Sequence, residues 1–318
     1  MGRKLLGYLI LLFLALSLNF FLPRLMPGDP LLYLAGEEIG RLDGEGRAAL
    51  RAHYGLDRTL SQQFALYWQG LLLGDWGFSL QKNQPVRQLI AARAPWTILL
   101  VGSSLVLSTL LGSLLGILAG WYQNSPLDTA LTGLCLILQG MPSFWLGMVF
   151  LALFGAQLGW FPLYGAYNPW ANYHGWAYIL DVGRHLILPL STLSLLLLPQ
   201  VFLTMRATVI QICGEGFIFM ARAKGLPERA IIMGHVARNA LLPVFTLFMI
   251  KLGQIFSGTT IIETVFAYPG LGRLMYEGII TRDYPVIQGA FSIITAAVIF
   301  SNLAAEILYP YLDPRVGE

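Results

Sequence analysis

The sequence predicts an all-α polytopic integral membrane protein with six transmembrane helices, and three observations carry that prediction. Of its 318 residues 56% are hydrophobic and only 12% are charged, against about 25% charged in ordinary soluble domains. The mean hydropathy is +0.64. Apolar stretches of about 20 residues, enough to cross a hydrocarbon core of about 30 Å as helix, recur six times. One globule of this size cannot bury so much apolar surface behind 20 basic and 17 acidic side chains, so its solvent is lipid. The same balance excludes a disordered chain, and a net charge of +3 spread over the whole length excludes a nucleic-acid binder read from charge. Cys135 and Cys213 have neither metal-ligand spacing nor the arithmetic of a disulfide framework.

The six spans fall approximately at residues 5–22, 97–120, 130–157, 186–205, 240–266 and 286–312. The first follows Gly2-Arg3-Lys4 and has no small-x-small cleavage site before Pro23-Arg24, so it reads as a retained span rather than a signal peptide. The chain thus divides into an N-terminal transmembrane helix (1–23), an extracytoplasmic loop region (24–96) and a five-helix core (97–318) with a cytoplasmic loop at 206–239. Arg3 and Lys4 precede the first span, while Arg206, Arg222, Lys224, Arg229 and Arg238 gather between the fourth and fifth. The positive-inside rule puts both regions, and hence both termini, in the cytoplasm. Residues 24–96 carry eight basic and seven acidic side chains, but a loop beyond about 60 residues informs that rule weakly.

Within the first loop, 42–70 has the polar and apolar mixture of short helices, followed by the turn-rich Gly74-Asp75-Trp76-Gly77. The loop at 158–184 is rich in Trp, Tyr, Pro and Gly, as suits an interfacial aromatic belt. The loop at 206–239 is different in composition. Phe217, Met220, Ala221 and Lys224 recur at near-helical spacing, Gly225 ends the helix, and Pro227 opens a second one that carries His235, Arg238 and Asn239 into the fifth span. A short helix of this kind along a membrane surface fits a groove on a cytoplasmic partner; a bare positive-inside loop explains the charges equally well.

Polar, proline and glycine positions inside spans mark either packing or a path, because charge and broken backbone are costly in lipid. Pro142 and Pro189 should kink their helices. Gln139, Asn19, Gln200 and Gln254 suit interhelical hydrogen bonds or a pore wall, and Gly258, with Gly253, offers close helix approach. Glu263, followed by Pro269-Gly270-Leu271-Gly272, marks the end of the fifth span and a re-entrant or gate-like element. Catalysis has no comparable signature. No Gly-rich loop ends in Gly-Lys-Ser or Gly-Lys-Thr, and His53, His174, His185 and His235 lie far apart with no His-Glu-x-x-His. No later span carries a histidine that would activate Ser257.

Several segments occur in a defined order: Pro27-Gly28-Asp29-Pro30, Gly55-Leu56-Asp57, Gly74-Asp75-Trp76-Gly77-Phe78-Ser79, Pro142-Ser143-Phe144-Trp145, Ala221-Arg222-Ala223-Lys224-Gly225-Leu226, His235, and Arg238-Asn239-Ala240-Leu241-Leu242-Pro243. Glu263-Thr264-Val265-Phe266, Pro269-Gly270-Leu271-Gly272, Arg282-Asp283-Tyr284-Pro285 and Leu312-Asp313-Pro314-Arg315 follow. Over nearly the whole chain this set resembles the permease subunits of ATP-driven, binding-protein-dependent importers, in the branch that carries dipeptides, oligopeptides and nickel.

The resemblance implies the type I importer permease fold and a heterodimer with a second, homologous permease subunit. It also implies two cytoplasmic ATP-binding subunits and an external, extracytoplasmic solute-binding protein, with the permease itself in a bacterial or archaeal cytoplasmic (inner) membrane. No cofactor is expected on the chain itself, ATP and magnesium belonging to the partner ATPase subunits. It further implies that the inner loop couples to the ATPase through Phe217, Phe219, Met220, Ala221, Arg222 and Ala223, with Lys224, Gly225, Leu226, His235, Arg238 and Asn239. Gln139, Pro142, Lys251, Gln254, Gly258, Glu263, Pro269 and Gly270 become candidates for the pore or its gate. Lys251 has three readings: pairing with a partner carboxylate, meeting a peptide's C-terminal carboxylate, or snorkelling to an interface.

The sequence departs from the family where Asp-Tyr-Val-Arg-Thr often precedes the Ala-Arg-Ala-Lys-Gly core. Here Gly216-Phe217-Ile218-Phe219-Met220 stand instead, which replaces an acid and a base and predicts a more apolar contact face. Of the broader importer signature that begins with Glu-Ala-Ala, only Ala221 and Gly225 carry over, and the acid at its head is missing as well. Peptides, nickel and metal chelates share this permease type, and the absence of clustered His or Cys tilts the expectation toward peptides. An ion-coupled secondary transporter would need coupling-ion sites on discontinuous helices and would leave the inner loop surplus. A non-transporting scaffold would need none of the ordered segments.

Overall fold

A computed structural model describes residues 2–25, 44–53, 57–79, 81–253 and 259–312. The described residues are helical apart from connections and one hairpin of two-residue strands, β1 (Phe78–Ser79) and β2 (Gln84–Pro85). The helices are α1 (Gly2–Leu25), α2 (Gly44–His53), α3 (Leu60–Leu73), α4 (Val86–Trp121), α5 (Pro126–Gly140), α6 (Ser143–Phe150), α7 (Trp176–Cys213), α8 (Gly216–Ala223), α9 (Glu228–Ile231), α10 (Arg238–Gly253), α11 (Thr260–Val265), α12 (Leu271–Thr281) and α13 (Tyr284–Leu312). Wider π-helical turns follow α6 at Leu151–Gln157 and α9 at Ile232–Ala237. The chain forms two compact units.

Four helical stretches, Val86–Trp121, Trp176–Cys213, Glu228–Leu252 and Tyr284–Ala304, are long and apolar enough to cross a membrane. A fifth span results if the bent pair Pro126–Gly140 and Ser143–Gln157 is one. The apolar part of α1, Leu5–Phe21, is shorter. Several helices run beyond the apolar stretches that mark the spans in the sequence. The helix that carries the second span starts at Val86, before the apolar run at 97–120, and Val86, Leu89 and Ile90 bury an apolar face there. Hydropathy registers only the more continuous run beyond Arg93. The helix that carries the fourth span runs over Trp176–Cys213, beyond the apolar run at 186–205 on both sides, and Pro189 and Pro199 remain inside it without ending the helix. The third is not continuous. Met141 is extended, Pro142 caps α6, and the two halves meet at 105°, because proline cannot continue the α5 hydrogen-bond ladder. The expected fifth span separates into α10 and α11, with 254–258 outside the described residues.

In the first unit (1–97, 256–264 and 269–300), α1 packs on α3 through rings. Phe13 stacks on Trp68 at 5.0 Å, and Phe20 meets Phe64 edge-on at 5.2 Å. The Asn19 amide donates to the Gln288 carbonyl and the Ser292 hydroxyl, each at 3.0 Å, so the polar atom expected to hold helices together does so between α1 and α13. Val86, Leu89 and Ile90 form a core with Leu271, Leu274 and Val286.

In the second unit (98–255, 265–268 and 301–318), α4 and α7 approach closely along three turns. Cβ atoms on Gly112, Gly116 and Gly120 would lie within 2.9 Å of Val201, Met205 and Val209 respectively, so backbone contact replaces side-chain contact. Ser125 caps α5 by accepting from the Asp128 N–H at 3.2 Å, with Pro126 in the first turn. Asp128, itself buried, receives the Arg206 guanidinium of α7 in a two-pronged pair, one arm at 2.7 Å. Gly116→Val should therefore cost about 1–3 kcal/mol through overpacking. Thermal unfolding of the detergent-solubilised protein should show a lower midpoint, and an unchanged midpoint would place the α4–α7 contact elsewhere.

Candidate functional site

Two places gather the residues that the sequence singles out. At the first, α7 ends at Cys213 and α8 starts three residues later, so the chain turns sharply before it runs across the helix ends. Lys224 closes α8, and Gly225 adopts φ +75° with no atom crowding its Cα. Glycine is favoured there by its left-handed backbone rather than by lack of room. Leu226 and Pro227 lead into α9, whose π-helical continuation joins α10.

Burial splits α8 into two faces. Ile218 and Ala221, one turn apart, enter a core with Met205, Val209, Ile231, Val236, Ala240 and Val244. Phe219 (73% exposed), Met220 and Phe217 point away from it. Leu226 and Met233 (70%) are exposed as well. The Arg222 guanidinium lies 5.2 Å from the Trp121 ring centroid, at the end of α4, and 3.5 Å from Glu228. Ala223, Lys224, Gly225, Arg238 and Asn239 are exposed, and His235 is half-buried with its carbonyl accepting from the Asn239 amide at 2.6 Å. The residues expected to couple therefore divide: Ala221 anchors the helix, whereas Phe217, Phe219 and Met220 present it. Met233, Ile218 and Trp121 were not singled out from the sequence. Ile218 had a signal, since it completes an i, i+3 pair with Ala221. Trp121 had none, because an aromatic at a span end reads as interfacial.

The second place is the start of α12. Glu263 is 0% exposed. One carboxylate oxygen accepts from the Thr97 hydroxyl at 2.7 Å and the Thr259 hydroxyl at 3.3 Å, and the other from the Arg273 N–H at 2.9 Å. Thr97 in turn accepts from the Leu271 N–H at 2.8 Å. The residue at the cap position, Gly270, has no side chain to satisfy these first N–H groups. Glu263 supplies the missing acceptor from outside the helix, where a carboxylate also meets the positive end of the helix dipole. A Cβ on Gly270 would lie 2.1 Å from the carboxylate carbon, so glycine is required by close approach.

Of the expected gate residues, Glu263, Pro269 and Gly270 thus come together around this cap. Gln139 and Pro142 sit at the 105° break, Gln139 exposed. Lys251 is half-buried in the last turn of α10. Gln254 and Gly258 lie outside the described residues.

The same unit fastens its hairpin to α12 by an ion pair and to the connection before α13 by a hydrogen bond. Glu277 receives Lys82 at 2.8 Å and Arg273 at 2.9 Å, and the Ser79 hydroxyl donates to Asp283. Burial favours the neutral form of Glu277, but the Lys82 hydrogen bond and the charges of Lys82, Arg93 and Arg273 outweigh it and hold the carboxyl below its ordinary value. Burial pushes the Asp283 carboxyl up, against the opposing Ser79, Val286 and Lys82 contacts. Among the described residues, no three His, Cys, Asp or Glu side chains group so as to hold a metal ion.

Apolar helices long enough to cross a membrane, a bent pair among them and a short helix packed against the ends of α7 and α10 define a polytopic membrane protein. Residues 112–318 match the family described as the binding-protein-dependent transport system inner membrane component, and the chain belongs to that family. It is a permease subunit of an ABC importer, the membrane component rather than the ATPase. The glutathione transport system permease protein GsiC of Salmonella typhimurium is 33% identical over 316 residues, covering 99% of this chain and 97% of its own. The dipeptide transport system permease protein DppB of Escherichia coli K12 is 32% identical over 329 residues, covering 98% and 96%.

Two outcomes follow from the second place. Glu263→Ala leaves buried N–H groups at the start of α12 without an acceptor and should cost about 1–3 kcal/mol, read as a lower unfolding midpoint; an undiminished midpoint would mean that water replaces the carboxylate. Glu277 has its folded-state value lowered, so its stabilisation is present above about pH 4.3 and is lost as pH falls through the folded value. Asp283 has the opposite sign: its contribution is present at acid pH and lost as pH rises through its raised value. The stability gap between wild type and Glu277→Gln, measured by thermal unfolding, should be open at neutral pH and close below about pH 4.3; a gap independent of pH would remove the ion-pair account.

Proposed function

We propose that this chain forms one half of the translocation path of an importer for di- or oligopeptides in the cytoplasmic membrane. In this reading α1 is a sixth span, both termini are cytoplasmic, and residues 24–96 lie on the outer side. A second homologous permease subunit completes the path, a solute-binding protein delivers the peptide, and two ATPase subunits engage the loop at 206–239. The peptide class is supported by the relatives, named for glutathione and dipeptide transport.

The observation that carries the coupling role is the split of α8. Ile218 and Ala221 fix the helix to the ends of α7 and α10, while Phe217, Phe219 and Met220 stand out from it. An apolar face held rigidly from behind transmits displacement to the helices that seat it, whereas a loosely attached loop would absorb it. ATP moves the equilibrium between inward- and outward-facing states only insofar as the ATP-bound ATPases prefer one of them. The contact at α8 is where that preference reaches the membrane helices, and its chemistry is apolar, with Arg222 and Lys224 at the edge.

Phe219→Asp should place an unpaired charge in this contact and reduce co-purification of the ATPase subunits, with membrane insertion unchanged. Equal co-purification would put Phe219 outside the interface. In proteoliposomes supplied with the binding protein, ATP-dependent uptake of labelled dipeptides is expected; uptake confined to metal chelates would replace the peptide assignment.

A further inference from the structure

Between Met205 and Val209, about 6 Å along α7 at 1.5 Å per residue, three neighbours meet one short stretch of helix. Met205 and Val209 are buried in one core with Ile218 and Ala221 of α8. On α4, Gly116 and Gly120 approach the same two side chains so closely that a Cβ on either would lie 2.7 Å from them. Arg206, between them in the chain, turns to α5 instead and donates to both carboxylate oxygens of the buried Asp128, its Nη2 arm at 2.7 Å.

Asp128 is held on its own side as well. The Asn124 N–H donates to it at 2.9 Å and the Thr132 hydroxyl at 3.3 Å, so the carboxylate is fixed to the first turns of α5 and to the turn before them. Two parallel bonds from one guanidinium then set orientation as well as distance. Elsewhere α5 meets α7 through apolar side chains, Leu131 and Cys135 clustering with Leu198 and Phe202. Apolar burial is non-directional and leaves sliding along the axis open.

Stability is a weak reason for such a pair, because well-packed apolar residues in place of a buried ion pair often leave a fold equally or more stable. A defined register is what the pair adds to the apolar contact. From Asp128 to Gly140 is twelve residues of helix, or about 18 Å. There the hydrogen-bond ladder stops and α6 leaves at 105°, so α5 can shift without carrying α6 as one rigid helix. Networks of ion pairs joined to rigid helices are one physical means of carrying coupling between distant places.

We propose that Asp128 and Arg206 are a positioning pair that makes α5 follow the end of α7, so that a displacement received at α8 reaches the bend at Met141–Pro142. The proposal rests on the reading that α8 meets the ATPase subunits, and adds the route by which the bent span responds.

The test uses the full transporter complex in lipid nanodiscs, with spin labels on Thr129→Cys of α5 and Gln211→Cys of α7 in a chain carrying Cys135→Ser and Cys213→Ser. With the pair intact, the distance between the labels should be the same and equally narrow in the nucleotide-free and the vanadate-trapped complex. In the apolar variant, Asp128→Leu with Arg206→Met, it should shift or broaden on trapping, with ATPase co-purification and the unfolding midpoint as in wild type. Uptake of labelled dipeptides per ATP hydrolysed should fall about fivefold or more, the lower end of typical coupling between sites. Arg206→Lys, which keeps the charge and loses the two-pronged geometry, should lie between the two. A distance that changes on trapping with the pair intact would overturn the proposal, and so would one that stays fixed and narrow in the apolar variant. Failure of both variants to assemble would overturn it too, since the pair would then be a requirement for folding. Failure of the underlying reading shows separately, as unchanged ATPase co-purification in Phe219→Asp.

Discussion

Hydrocarbon offers no hydrogen-bond partner, so an interruption of a helix within a membrane has to be satisfied by the chain itself. The interruptions are therefore where the structure is most specific. At the break between α5 and α6, the Met141 N–H returns to the Leu138 carbonyl at 3.3 Å, and the Pro142 carbonyl accepts from Trp145 and Leu146 at 3.1 and 3.2 Å. After the bent span, Phe154 takes two N–H groups at one carbonyl. At the start of α12, where Gly270 has no capping side chain, Glu263 and Thr97 reach in from α11 and α4. The last case is the most demanding, because it places a carboxylate with no exposed surface against a backbone that tolerates no Cβ.

Satisfying the backbone also sets what can face outward. At α8 the left-handed Gly225 and the Pro227 that follows let the chain leave one short helix and enter the next within a few residues. Ile218 and Ala221 can then sink into the core while Phe219 and Met220 do not. Behind them, the glycine contacts of α4 with α7 and the Asp128–Arg206 pair of α5 with α7 hold the supporting helices close. The exposed apolar side of α8 is thus backed by short-range packing through several helices.

The sequence alone determined that this is a helical membrane protein, where most spans lie, that a short helix occupies the loop after α7, and which family the chain belongs to. Each of these rests on one-dimensional signals: apolar run length, the period of Phe217, Met220, Ala221 and Lys224, and ordered local motifs. Short helices also appear within the first loop, as its composition predicts. Only the tertiary structure decided that α4 starts at Val86, that the third span is bent, that Ala221 is an anchor, and that Glu263 caps α12 from eight residues before Leu271. Hydropathy averages over a window and cannot register a helical turn that is buried by residues far away in the chain. Likewise, the role of a carboxylate depends on which donors surround it, and those of Glu263 come from Thr97, Thr259 and Arg273, segments that only folding brings together.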